Sequence, residues 1–507
     1  MSRSARTLFW GVVLLAFALR LYLVISTAYI WDEDREWIPL GRSISFSSVA
    51  PNLPWRSVSH HAGSAYIIKA TSSVFGQNAL GYRIGFALAG AITVWAVGML
   101  AWEWLGAQGC ILAALALALN EYHLAVSAIA TEKSQYLMCS ALSILHFGRF
   151  LKFEKSRNLY LTAVFAGVAF LFKETSGLLL PACAAALLVS GKAGWFKRRE
   201  TYIAAGLGFA IVLPDLFWNF FNWDKGYGLH TGRIAGLGFN RHFFLFFGRD
   251  LIAKISQALG RFLADPAKEY PAMNALWGAI VIGSALFAIV KWRKLQPIGR
   301  LVTIFFWCIL LFFMLGKPGQ TQYIVETQLL VDSKAWFWVD QVLIGSSVLV
   351  AWSISSLTGR WKQLGMAVFV LACLMSLVRV HDKLEMPTVQ LTIVPNTIWP
   401  ADGQFIDLKT FVLPCQICKP TLRLVESTTD DHDGRGVIPS STEEIRGLMQ
   451  GTDDREFQAA AKNGGTAAAR NYGFRYEISD RGLKWSVSRQ VVVSNRISPL
   501  VPFWARS

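Results

Sequence analysis

Charge is scarce in this chain. Of its 507 residues only 16% are Asp, Glu, Lys or Arg, 53% are hydrophobic, and the mean hydropathy is +0.39. Soluble domains carry about a quarter charged residues, so a soluble globular protein is excluded. Acidic residues are the scarcer sign, 33 against 49 basic ones, for a net charge of +16. The basic residues lack the clustered face of a nucleic-acid surface, which excludes nucleic acid as a partner. Cysteine is sparse too. Five of the seven lie within or beside apolar runs, where they act as small hydrophobes, and the remaining two, Cys415 and Cys418 in "LPCQICKP", have no second pair with which to build a zinc site. In an oxidising compartment that pair reads as a short structural disulfide, with redox or zinc chemistry as the alternatives. The first apolar run is too long for a signal peptide and lacks a small-residue cleavage site, so the expectation is an uncleaved first helix. No internal repeat or low-complexity segment stands out.

What is abundant is long apolar sequence. Runs near 8–28, 84–104, 108–128, 134–150, 159–173, 175–190, 201–219, 274–290, 301–316, 337–357 and 364–380 predict about eleven transmembrane helices. Together they make residues 1–380 an all-α polytopic membrane domain. The fifth and sixth runs share the turn Lys173-Glu174 and could also form one re-entrant hairpin. Arg3, Arg6 and the stretches "GRFLKFEKSR", "GKAGWFKRRE", "KWRKLQPIGR" and "GRWK" occupy alternate connections, which places those ends and the amino terminus in the cytoplasm. The localisation expected is the inner membrane of a cell, multi-pass, with the carboxy-terminal part outside the cytoplasm. Some attraction to anionic membrane lipids follows from the charge.

The unusual polar sequence then collects on the outer face. "YIWDEDREWIPLGRSI" delivers Asp32, Glu33 and Asp34 as the first helix ends, where a low dielectric suits a carboxylate to act as a base. The bland alternative is an interfacial stop. "HHAGSAYIIKATSSVFG", residues 60–76, is too short to span and is expected to lie along the interface. "GVAFLFKETSGLLLP" sets Lys173 at an outer turn, costly there unless paired or used, although it could merely cap the turn. "VLPDLFWNFFNWDKGYGLHTGR" closes the seventh run before a loop bearing His230 and Arg233. Glu132 in "IATEKSQYL" begins the fourth run on the outer side and is a candidate, the bland alternative being an exposed pair with Lys133 of little energetic value. Clustered carboxylates suit Mg²⁺ or Mn²⁺, but three adjacent side chains rarely aim at one point, so a metal stays unassigned.

In this order these stretches resemble the GT-C superfamily of membrane glycosyltransferases, in its dolichyl-phosphate-mannose-protein mannosyltransferase-like and lipid A aminoarabinose transferase-like branch. The resemblance covers about residues 8–350. Glu33-Asp34 with Trp37 and Gly41 fit the family's first outer loop, Asp32-Glu33 being the other register; Phe75-Gly76 and Tyr82-Arg83 match further positions, and Lys173 fits a Leu-Thr-Lys-Gly turn. His60-His61 stand where relatives often have Lys-Pro, so the usual phosphate-binding lysine is absent there and His60 is the candidate replacement.

The resemblance implies a sugar donor carried on a polyprenyl phosphate and an envelope glycan, lipid or protein as acceptor. It makes Asp34 the catalytic base, with Glu33 as the alternative, and Lys173 the first choice for the donor phosphate. His60, Arg83, His230 and Arg233 are weaker phosphate candidates, and Asp32 and Glu132 complete the set. Arg83 could instead snorkel at a span end. Residues 381–507 are polar and mix strand-like "RQVVVSN" with helix-like "STEEIRGLMQGTDDREFQAAAK", which predicts a separate extracytoplasmic α+β domain. The leading function is an inverting transferase. An oligosaccharide ligase or arabinosyl-type transferase is its enzymatic rival, and a transporter or non-catalytic assembly subunit the rival from another class. Against a transporter stands the lack of Gly/Pro-broken helices in symmetric halves and of ionisable groups at mid-span, Asp340 just inside the tenth run being the one residue a transporter would need to use.

Overall fold

The structure is a computed structural model describing residues 2–27, 33, 37–48, 51–54, 61–221, 275–315 and 341–384, and seven strands between 388 and 493. It divides into two units, one made of 1–24 and 31–384, the other of 25–30 and 385–507.

The first unit is helical. α1 (Arg3–Ser26) carries the first apolar run; α2 (Ile38–Ser43) and α3 (Gly63–Phe75) precede the long α4 (Ala79–Ala118). α5 (Glu121–Ala128), α6 (Lys133–Phe153) and α7 (Ser156–Phe170) follow, then a 3-10 turn, Glu174–Leu178, leading into α8 (Leu179–Val189). The remaining helices are α9 (Arg199–Phe221), α10 (Ala275–Val290), α11 (Pro297–Leu315), α12 (Val342–Ser356) and α13 (Gly359–Leu384). Each predicted apolar run is helical over most of its described residues. Among the described residues four helices are long and apolar enough to cross a bilayer, α1, α4, α9 and α13, and four more apolar helices are shorter.

Two local features explain how α4 is delimited. Its forty residues would reach about 60 Å, twice a hydrocarbon core, at 1.5 Å per residue. Gly106, at φ 71°, breaks it between the second and third predicted spans, a backbone conformation that other residues adopt only with strain. The third run is itself interrupted: Asn120 accepts a hydrogen bond from the His123 amide at 3.0 Å and caps a new helix, α5. A capping asparagine competes with continued helix, so residues 108–128 are two buried pieces where one span was expected.

At the start of α4, Asn78 accepts from the Gly81 amide at 2.9 Å, while Gly76 ends α3 at φ 86°. A Cβ on Gly81 would collide with the Gly76 carbonyl oxygen. Backbone cannot yield as a side chain does, so Gly81→Ala should destabilise the folded protein by about 1–3 kcal/mol, read as a lowered thermal midpoint in detergent. An unchanged midpoint would mean that the corner between α3 and α4 is looser than this geometry.

Small residues let these helices approach closely, as membrane helices require when lipid offers no hydrophobic penalty for separation. Ala89, Gly90, Ala91, Ala96, Ala101 and Ala113 of α4 are all buried. Large apolar side chains such as Leu14, Leu180, Phe209 and Leu374 stay exposed, as suits contact with lipid tails.

Charges gather at the ends. Glu103 accepts from Arg149 at 3.0 Å and from Lys152 at 3.1 Å; Lys192 pairs with Glu154; Lys362 donates to Gln108 at 3.2 Å. The hydrogen bond and charge of Lys192 hold the Glu154 carboxyl below its ordinary range. Arg83, on the same unbroken stretch of α4 as Glu103, lies about 30 Å from it, one hydrocarbon thickness.

In the second unit the described elements are strands alone: β1 (Thr388–Val394), β2 (Phe405–Leu413), β3 (Thr421–Thr429), β4 (Ile445–Arg446), β5 (Arg455–Ala460), β6 (Arg470–Asp480) and β7 (Leu483–Val493). They form two antiparallel sheets, ordered β1-β2-β5 and β4-β3-β6-β7. "RQVVVSN" lies largely in β7, as expected. The helix expected over 441–462 is corrected: β4 and β5 fall within it, and Phe457 stands opposite Leu408 of β2. Cross-strand pairing outweighs local helix propensity there.

Candidate active site

Seven ionisable residues are buried at the end of the bundle opposite Glu103, none more than 3% exposed: Glu33, His61, Arg83, Glu132, Lys133, Lys173 and Asp215. Burial at this cost requires pairing or use.

Arg83, in the first turn of α4, donates from Nε to Glu33 Oε1 at 2.7 Å and from Nη2 to Oε2 at 2.6 Å, a planar two-pronged pair. Its Nη1 donates to the Val24 carbonyl at 3.0 Å, tying the end of α1 into the pair. The Ala130 amide donates to Glu33 Oε1 at 2.5 Å. Glu33 is therefore held by a guanidinium and a backbone N–H together.

The segment supplying Ala130 joins α5 to α6 and next supplies Glu132. Lys173 Nζ lies 3.7 Å from Glu132 Oε1 and 5.2 Å from the ring centre of Tyr136. Glu132 and Tyr136 are four residues apart and so share a face. Lys173 follows α7 at an extended corner, its amide bonded to the Ala169 carbonyl at 3.0 Å, before the 3-10 turn. Glu132 is thus buried against Lys173, which corrects the expected exposed pair with Lys133; Lys133 Nζ lies over the Tyr122 ring at 5.9 Å.

The third pair was missed from sequence. His61 Nδ1 lies 2.9 Å from Asp215 Oδ1, bridging the residue before α3 to the apolar helix α9. The signal available was Asp215 itself, an acid inside the apolar run ending "LPDLFWN". The His61 ring is 6.3 Å from that of Phe170, and a Cβ on Gly63 would meet the Phe172 ring at 2.8 Å, so the start of α3 packs beside the Lys173 corner. The three pairs thereby form one connected patch.

Asp32, Asp34, His60, His230, Arg233, Asp340, Cys415 and Cys418 lie outside the described residues. Among the described residues no group of three His, Cys, Asp or Glu side chains could hold a metal ion. Elsewhere in the bundle Arg20, Glu121 and His123 are fully buried as well. Arg20 of α1 donates to Ser127 Oγ at 2.8 Å and to the Ala16 carbonyl at 2.8 Å, and meets His123 Nδ1 at 2.5 Å. This corrects the expectation of a bundle without ionisable groups at depth; Arg20 ties α1 to α5 through neutral partners.

An apolar helical bundle with spanning-length helices and opposed acids and bases buried together is the architecture of a polytopic membrane protein. Residues 59–218 match the dolichyl-phosphate-mannose-protein mannosyltransferase family model, within the stretch whose motifs resemble GT-C membrane glycosyltransferases.

Among solved structures it is similar to ArnT from Cupriavidus metallidurans bound to undecaprenyl phosphate, at 15% identity and TM-score 0.45 over 74% of this chain and 64% of that one. The apo state of the same protein gives 16% and 0.45, over 73% and 64%. The Archaeoglobus fulgidus oligosaccharyltransferase complex with Zn and sulfate gives 13% and 0.46, over 74% and 53%. The chain thus spans less than two thirds of the length of each. No curated protein matches it.

Proposed function

We propose that the protein is an inverting glycosyltransferase that moves one sugar from a polyprenyl-phosphate donor to an envelope glycan, lipid or protein. In this reading eleven spans cross the membrane, with the amino terminus cytoplasmic and the buried patch on the outer side. Nucleotide sugars are not expected there, so the bond energy arrives with the lipid.

The observation that carries the reading is Lys173, buried beside a carboxylate within the matched segment 59–218 and on the same patch as Glu33. Inverting transfer needs a carboxylate to take the acceptor's proton as its oxygen attacks the anomeric carbon, and a cation to stabilise the departing phosphate. Asp34 is the base in our assignment, because Glu33 is committed to Arg83 and the Ala130 amide. Glu33 and Arg83 position the loop that carries it, and Lys173 receives the phosphate. His60, His230 and Arg233 remain candidates for further phosphate contacts, and Cys415 and Cys418 for a disulfide.

Lys173→Ala should weaken donor binding and turnover together, by about tenfold to a hundredfold, the worth of a charge-assisted hydrogen bond. Purified protein titrated with polyprenyl-phosphate sugars, with product followed by mass spectrometry, measures both. Unaltered donor affinity would assign Lys173 to structural pairing with Glu132 alone. Envelope glycolipids of a deletion strain would identify sugar and acceptor.

A further inference from the structure

The segments that supply Lys173 and Glu132 also carry buried polar side chains that the transfer chemistry does not use. Gln135 is 1% exposed, and among the described residues neither its Nε2 nor its Oε1 has a hydrogen-bond partner. Thr131 Oγ1 and Ser176 Oγ, each 1% exposed, are orphaned in the same way. Thr131 precedes Glu132, the residue before α6, and Gln135 follows it by three in the first turn of that helix; Ser176 follows Lys173 by three, its amide bonded to the Lys173 carbonyl at 3.0 Å. The orphans therefore lie within three residues of the pair along the chain, on both of the segments that supply it.

Native proteins leave few buried polar atoms unpaired, and a glutamine orphaned at both ends of its amide is costly in an apolar bundle. A leucine would fill nearly the same space without that cost. The residue types also say what would satisfy them. A phosphate only accepts hydrogen bonds, so it would pair Nε2 and leave Oε1 unmet; a pyranose or furanose ring, whose hydroxyls both donate and accept, meets both ends of the amide and the two hydroxyls.

We infer that Gln135, with Thr131 and Ser176, binds the sugar ring of the lipid donor beside the phosphate cation Lys173 and sets which sugar is accepted. The inference rests on the transfer reaction proposed above and deepens it. A site built to hydrogen-bond a particular hydroxyl rejects a sugar that lacks or inverts it, because the amide is then stranded.

The test compares bare undecaprenyl phosphate with undecaprenyl-phosphate hexoses and pentoses, using parental protein, Gln135→Leu and Thr131→Val in detergent, with thermal midpoints recorded without ligand. The parental protein should bind one sugar-bearing lipid at least tenfold more tightly than the bare lipid. Gln135→Leu should lose that preference, keep its affinity for bare undecaprenyl phosphate, and melt no lower than the parent, since an orphaned amide has been replaced by an apolar near-isostere. Thr131→Val, nearly isosteric, should lose part of the preference.

Should Gln135→Leu melt well below the parent and still prefer the same sugar, the amide is structural and the inference is overturned. Retained preference at an unchanged or higher midpoint overturns it equally, the orphans then holding only water. If the parental protein itself binds neither bare nor sugar-bearing lipid, the transferase reading fails instead, and the two failures are told apart.

Discussion

Asp34→Asn will abolish sugar transfer while leaving expression, membrane insertion and donor binding intact. Removing a positioned general base typically costs about 10² to 10⁴ in rate, and asparagine preserves the shape of the side chain while removing its capacity to take a proton. The expectation follows from its neighbour. Glu33 spends one oxygen on the Arg83 Nε–H and the Ala130 amide and the other on Nη2, so a base role for Glu33 would have to break a buried, two-pronged ion pair in every cycle. A product assay with purified protein, with donor affinity measured separately, decides it. Parental turnover in Asp34→Asn and in Glu33→Gln, singly and together, would reduce the acidic stretch to an interfacial stop.

Glu33→Gln and Arg83→Leu should each cost folding instead. Both side chains are fully buried, and removing one partner leaves the other charge without its counter-ion in an apolar surrounding, a loss of about 3–5 kcal/mol. That exceeds a third of the stability of many proteins and would appear as low yield and a collapsed thermal midpoint in detergent. The double change Glu33→Gln with Arg83→Met should recover most of the midpoint, because replacing a whole buried pair with well-packed neutral groups is often close to neutral. It should not recover full turnover, since the pair also ties Val24 of α1 and Ala130 to the start of α4. Should Glu33→Gln fold like the parent and yet lose all turnover while Asp34→Asn stays active, the roles of the two carboxylates are reversed.

The two changes differ in kind, and the difference locates the limit of sequence reading. "WDEDREW" announces that acids leave the first helix together, yet nothing local tells a catalytic acid from a paired one. The partner that marks Glu33 as paired, Arg83, is fifty residues away. The same holds for Glu132. Its neighbour Lys133 was the obvious mate in sequence, but Lys173 reaches it from the corner after α7. His61 and Asp215 come from the start of α3 and the end of α9, and the packing of His61 and Gly63 against Phe170 and Phe172 brings that pair to the Lys173 corner.

The sequence by itself determined that this is a helical membrane protein. Apolar runs of spanning length leave backbone no alternative to helix, and basic and acidic residues falling between runs mark where helices end. It also carried the family resemblance, because the motifs are short and sit in loops whose order survives without knowledge of the fold. The tertiary structure decided the rest: that residues 108–128 are two helical pieces, that β5 is a strand, and which acid is bound to which base. The physical reason is common to all three. Chain-local propensities and hydropathy act over a few residues, whereas strand pairing and buried ion pairs are settled by contacts between distant segments, where the cost of leaving a charge or a backbone group unpaired outweighs any local preference.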